Sequence, residues 1–308
     1  MKSVVAILVI VLMTFAGCTK RQGSDIRSGT LAVQVTESYL PLVQVIVDDY
    51  RSIYPDVTIT LSGVTTRGAI VDLINDSVHC IITDRPFNDE EQEAVKRAEL
   101  HVEETEIARD GLAILVHQQN KLAALSQEEL GSIFSGATTL WSKVPGSHLR
   151  GAIELCLTGR NSGLYELLTR NFFHMKNDAP LAAIAPSQAG ILEYVATHPE
   201  ALGVVSYAAW KDTTRTGEQQ WKRNVRVLPM TGKNAEGVSA AVPVNQRNIY
   251  DRIYPLTFSL YIYASEKTPG TAKGFSAFVA GEYGQREFLY AGLVPKTMPY
   301  RTIQLTQE

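Results

Sequence analysis

The chain has 308 residues, 45% of them hydrophobic and 20% charged, with a formal net charge of −3. That balance is ordinary for a globular protein, and it excludes both a polybasic nucleic-acid binder and a chain too polar to bury a core. The length suits two domains of common size once an amino-terminal signal is set aside.

The first element is that signal. Lys2 gives a positive start, Val4 to Met13 is unbroken apolar sequence, and Phe15-Ala16-Gly17 leads into Cys18. An apolar run this short falls well below the roughly 20 residues a helix needs to cross a bilayer, so it reads as an export signal. The order resembles a bacterial lipobox. That resemblance implies a lipoprotein signal peptide over 1–18, lipidation at Cys18, and a location in the cell envelope outside the cytoplasm, at the periplasm or cell surface. An ordinary cleaved signal with an incidental cysteine is the plainer alternative. Polar residues 19–28 read as a tether.

Strands and helices then alternate. Leu31 to Val35 is a strand, and from Pro41 the apolar spacing turns helical through Val43, Ile46, Val47 and Tyr50 until Pro55. Val57 to Leu61 is a strand, Gly68 to Asn75 a helix, Val78 to Thr83 a strand, and Asp89 to Arg97 a charged, exposed helix. This β-α-β-α-β order implies a mainly parallel sheet covered by helices. Gly111 to Val116 is a strongly apolar strand, and Gln127 to Phe134 is a helix with a capping box between Ser126 and Glu129. Further on, strands are expected at Ile153–Leu157, Leu202–Ser206, Val225–Leu228 and Leu256–Ala264. Helices are expected at Leu164–Phe173, Ser187–Thr197, Thr271–Phe278 and Gln285–Ala291. Cys80 and Cys156 lie in apolar strands and read as small buried hydrophobes, with a disulfide between them as the other reading.

Several segments in order carry a family resemblance. Asp110 to Val116, then Leu125-Ser126-Gln127-Glu128-Glu129-Leu130, Ile133-Phe134-Ser135-Gly136 and Leu140-Trp141, resemble the substrate-binding proteins of phosphate ABC importers. Tyr54-Pro55, Leu202-Gly203-Val204-Val205-Ser206-Tyr207, Tyr254-Pro255-Leu256, Gly284-Gln285 and Gly292-Leu293-Val294-Pro295 extend the likeness over nearly all of the mature chain. It implies an α/β fold of the type II periplasmic-binding-protein kind, with two α/β lobes and mainly parallel sheets around a ligand cleft. Lobe one spans 29–110 completed by 256–308, and lobe two spans 111–255. Ligand capture by hinge closure is the mechanism expected of such lobes.

Three loops of the chain suit an oxyanion, because each sets hydroxyls or small residues ahead of a helix whose free N–H groups attract anions. They are Glu37-Ser38-Tyr39, Thr65-Thr66-Arg67 and Asn161-Ser162-Gly163. Simple N-capping is the structural alternative for each. By the resemblance, Asp84 in Thr83-Asp84-Arg85 accepts a hydrogen bond from a protonated phosphate oxygen, a feature that sulfate lacks. Two positions depart from the family pattern: Glu37 stands where a Thr or Ser is usual, and Thr158 where an Arg is usual. Arg67, Arg85 and Arg160 are the candidate replacements for the guanidinium. A Glu37 that pairs with and orders an arginine, and a ligand that carries a positive group beside its oxyanion, are both open at this stage.

The function expected is an extracytoplasmic solute-binding lipoprotein that captures phosphate or a related oxyanion for an ABC importer. Its partners are that importer's permease and, through its lipid anchor, a membrane. It uses no nucleic acid and no cofactor, and it works as a monomer. An extracytoplasmic sensor or scaffold that has lost tight phosphate binding is the alternative. Catalysis is not expected: the six histidines have no metal-ligand spacing, and neither Ser38 nor Ser162 has a histidine partner evident in sequence. Trp141 is expected in the core of lobe two.

Overall fold

The alternation read from sequence is present in the computed structural model, which describes residues 26–212, 219–233, 238–267 and 269–297. The signal, Cys18 and most of the tether lie outside the described residues. Strand β1 (Gly29–Thr36) leads through one 3-10 turn, Glu37–Tyr39, into helix α1 (Leu40–Ile53). Pro41 starts α1, and Val43, Ile46, Val47 and Tyr50 form its buried stripe. Strand β2 (Val57–Val64), helix α2 (Thr66–Ile74), the fully buried strand β3 (Cys80–Thr83) and helix α3 (Asp89–Arg97) follow. Helix α3 buries none of its residues, and a capping box between Asn88 and Glu91 closes its start.

Strand β4 (Val102–His117) is longer than the apolar run that announced it. Its first half carries Glu103, Glu104 and Glu106 and is partly exposed, whereas Asp110 to His117 is buried throughout. Charged residues hid the first half from a reading based on apolar pattern. Helix α4 (Gln127–Phe134), strand β5 (Glu154–Thr158) and helix α5 (Gly163–Glu166) come next, and α5 runs on into a π-helical turn, Leu167–Phe172. Then follow β6 (Ala183–Ala185), α6 (Gln188–Thr197), β7 (Ala201–Ser206), α7 (Tyr207–Lys211), α8 (Gln219–Lys222) and β8 (Val225–Leu228). The antiparallel pair β9 (Met230–Lys233) and β10 (Ser239–Val242) and the short helix α9 (Gln246–Tyr250) were not anticipated. Strand β11 (Thr257–Ser265), helices α10 (Thr271–Ala280) and α11 (Glu282–Tyr290), and β12 (Val294–Pro295) complete the described chain.

The main sheet has the order β2-β1-β3-β11-β4-β7-β5-β6, with β12 and β8 also paired to β4. Pairing is parallel where β1 meets β2 and β3, and where β5 meets β7 and β6. It is antiparallel around β4 and β11 in the middle. Strand β4 is the bridge: Val102 to Gly111 pairs with β11, and Leu112 to Val116 pairs with β7. One core gathers Leu112, Ile114, Phe134, Trp141 and Leu157, and another gathers Val33, Val47, Ile82, Ile262 and Phe275. Trp141 is fully buried and donates its indole N–H to the Glu200 carbonyl at 2.9 Å. Cys80 and Cys156 are buried and free, so the disulfide reading is set aside.

The changeover on β4 is tightly wired. Asp110 Oδ2 accepts from the Tyr39 hydroxyl at 2.9 Å and from the Ala208 amide at 3.3 Å, while Oδ1 accepts from the Gly111 amide at 2.7 Å. Tyr254 donates to the Leu112 carbonyl at 2.6 Å. Among the described residues, no helix is long and apolar enough to cross a membrane.

Candidate oxyanion cleft

Parallel strands end at one edge of each half-sheet, and their loops face one another there. From the first half come Thr36 at the end of β1, Thr66 at the start of α2 and Asp84 just after β3. From the second come Thr158 at the end of β5 and Ser162-Gly163 at the start of α5. Short loops after parallel strands open naturally into helix starts, which is why polar residues collect at this edge.

The first group forms a relay. Thr66 Oγ1 donates to Asp84 Oδ1 at 2.7 Å, and Thr36 Oγ1 lies 2.8 Å from Thr66 Oγ1. A hydroxyl carries one hydrogen, so Thr36 supplies the donor to Thr66 while Thr66 serves the Asp84 carboxylate. All three side chains are buried. Gly163 seals the relay from the other half: a Cβ on it would lie 2.8 Å from both Thr36 Cγ2 and Thr66 Oγ1, and 3.2 Å from Asp84 Oδ2.

Glu37 occupies the seat between the halves. Its Oε1 accepts from the Gly163 amide at 3.1 Å, while Oε2 is buried and has no hydrogen-bond partner. Burial raises the Glu37 pKa, although its own amide and that of Gly163 pull it back. Asp84 is pushed up to about 6, first by burial and then by the Glu37 charge, against the opposing hydrogen bond from Thr66. Ser162 caps α5 by accepting from the Tyr165 amide at 3.2 Å, and its hydroxyl meets that of Thr158 at 2.6 Å.

Arg85 and Arg160 are committed elsewhere. Arg85 is buried and forks onto Glu91 at 2.8 and 2.9 Å, with a third bond to Glu166 Oε1 at 3.0 Å across the cleft. Arg160 sits at the rim, half exposed, 3.3 Å from Asp178. Arg67 is exposed, and the Thr65 hydroxyl accepts from the Gly68 amide as the N-cap of α2. Glu37 therefore pairs with a backbone amide and not with an arginine. Tyr39 is buried at the changeover on Asp110, while Ser38 and Asn161 line the open part of the cleft.

That open part encloses about 670 Å³ and extends from Glu37 and Ser162 past Gln188 to Tyr290. Gln188 Oε1 accepts from the Ser206 amide at 2.7 Å, which leaves Nε2 as a buried donor without a partner. Sequence reasoning did not single out Thr36, Glu166 or Gln188. A hydroxyl at a strand end was a weak cue for Thr36, but Glu166 and Gln188 sat inside helical patterns with nothing to mark them. No group of three or more His, Cys, Asp or Glu among the described residues is placed to hold a metal ion.

Two sub-sheets joined by a crossing strand, with polar strand-end loops converging on a cleft, define a solute-binding architecture. A family model described as a PBP superfamily domain matches residues 21–282, and the chain belongs to that superfamily. It is 25% identical over 240 residues to the phosphate-binding protein PstS of Staphylococcus saprophyticus, covering 78% of this chain and 71% of the relative. It is 20% identical over 236 residues to protein SphX of Synechococcus elongatus, covering 75% and 67%. Among solved structures, an ABC-type phosphate transport receptor from Vibrio cholerae aligns with a TM-score of 0.69 at 20% identity, covering 87% of this chain and all of that one. PstS from Borrelia burgdorferi aligns with a TM-score of 0.59 at 16% identity, covering 87% and 99%. The structural likenesses bear on fold, and on fold they agree with the two-lobed α/β reading.

Proposed function

We propose that this protein is an extracytoplasmic solute-binding lipoprotein that captures phosphate or a related oxyanion and presents it to an ABC importer permease. It works as a monomer, held to the membrane through lipid on Cys18, and it binds its ligand without transforming it. Among the described residues, those of 29–110 with 256–308 form one lobe and those of 111–255 the other, hinged at the β4 changeover. The names of the relatives support the ligand class. The observation that carries the reading is the meeting of Thr66 and Asp84 from one half with Gly163 from the other, whose amide already holds an anionic group in the form of the Glu37 carboxylate.

Calorimetry on the soluble body from about Ser24, with phosphate, with sulfate and with an Asp84→Ala variant, tests it. Phosphate binding that spares sulfate and is lost in Asp84→Ala is the expected result. Heat from neither anion would favour the second reading, a sensor or scaffold of the same fold whose seat is filled by its own Glu37.

A further inference from the structure

The cleft is shut at its deep end by the chain itself. Thr66 and Asp84 lie behind Gly163, and neither lines the open cavity. A Cβ on Gly163 would already meet Thr36 and Thr66 at 2.8 Å, so no anion fits between the halves at that point. A second bond, from Arg85 to Glu166 Oε1 at 3.0 Å, crosses the same gap. Where a ligand would sit, the Glu37 carboxylate reaches over from just after β1 and accepts from the Gly163 amide at 3.1 Å. A carboxylate has the features by which an amide holds an oxyanion, negative charge and acceptor lone pairs. Its grip is incomplete: Glu37 Oε2 is buried without a partner, and burial raises the pKa of the group. Both effects oppose the seated charge, so the contact is one that an external oxyanion can displace.

We propose that Glu37 is a tethered internal occupant of the oxyanion seat: it closes the two halves on each other without ligand, and an external oxyanion binds only by displacing it. The effect on affinity rests on the phosphate reading above; the effect on closure does not. A tethered competitor raises the apparent Kd by the reciprocal of the unseated fraction, because only unseated molecules are competent to bind. Removing the carboxylate therefore strengthens binding, the opposite of removing a group that touches the ligand. Glutamine at position 37 separates this device from plain charge repulsion. It loses the charge completely but keeps a carbonyl oxygen that accepts from Gly163, in a weaker bond than a carboxylate makes. Alanine loses both the charge and the bond.

The test is calorimetric titration of phosphate into the wild type, Glu37→Gln and Glu37→Ala, with a thermal melt of each to confirm folding. Energy transfer between dyes on the two lobes is measured on all three without ligand. The ligand-free wild type should be closed, Glu37→Ala open and Glu37→Gln intermediate. The phosphate Kd should fall at least about tenfold from wild type to Glu37→Ala, with Glu37→Gln between them. Equal affinities in the two variants, with ligand-free distances like that of the wild type, would reduce Glu37 to a repelling charge and overturn the inference while leaving phosphate binding standing. Weaker phosphate binding in Glu37→Ala would make Glu37 a ligand contact and likewise overturn it. An opened Glu37→Ala with no phosphate heat in any of the three proteins would uphold closure by Glu37 and overturn the phosphate reading. Unchanged distances with no phosphate heat would overturn both.

Discussion

Asp84 shows how one buried carboxylate links the cleft to pH. Its folded pKa of about 6 lies above the ordinary carboxylate range because burial disfavours its charge. The unfolded chain therefore ionises first. The stabilising contribution is complete below the unfolded pKa and is lost as pH rises through about 6. Asp110, raised by burial to about 7, acts in the same direction. Asp84→Asn keeps an acceptor for Thr66 without the charge, so the ligand-free variant should be more stable than wild type near pH 7.5, by about 1–3 kcal/mol. Urea midpoints of both proteins at pH 5 and pH 8 check this, and equal pH dependence in the two would refute it. Gly163 is the other decisive residue. A methyl there meets Thr36 and Thr66 at 2.8 Å, so Gly163→Ala should hold the halves apart. A penalty of about 1–3 kcal/mol corresponds to a loss of roughly 5- to 150-fold in oxyanion affinity with the overall fold retained. Calorimetry with circular dichroism would report both. These roles were only partly legible. The loop motifs picked out Ser162 and the family resemblance Asp84, but neither the contact of Gly163 with Thr36 nor the commitment of Arg85 to two carboxylates has a trace in local sequence.

At the scale of elements, the helices were easier to read than the strands that join the lobes. Helix α1 announced itself by the spacing of Val43, Ile46, Val47 and Tyr50, and α4 by its capping box. The first half of β4 did not, because its glutamates are satisfied by partners distant in sequence: Ser259 and Lys296 for Glu106, and Tyr263 for Glu104. The bond between Arg85 after β3 and Glu166 on α5 ties the two sides of the cleft together. Glu166→Gln leaves the Arg85–Glu91 fork in place and removes only the charge on the far side. We expect a loss of about 1 kcal/mol in closure, read as roughly fivefold weaker oxyanion binding and a larger open population by energy transfer between dyes on the two lobes. Unchanged affinity together with an unchanged dye distance would show that the bridge does not govern closure.

The two larger hydrophobic cores share strand β4, and a ligand seated between them should stabilise both. Phosphate at about one hundred times its Kd should raise unfolding stability by about 2.7 kcal/mol, while sulfate at the same concentration should leave the melting temperature unchanged. A thermal melt with each anion decides it, and an equal rise with sulfate would mark a general salt effect. The sequence by itself determined the α/β class, the order of most strands and helices, and the loops that face the cleft. Those depend on residue spacing, caps and turn chemistry that act within a few positions. Only the tertiary structure decided that β4 and β11 run antiparallel through the middle, that Arg85 bridges Glu91 and Glu166, and that Glu37 rests on Gly163. The reason is physical: burial, pairing and the loss of solvent arise between segments far apart in the chain, where residue 37 meets 163 and residue 85 meets 166, and local propensity does not encode them.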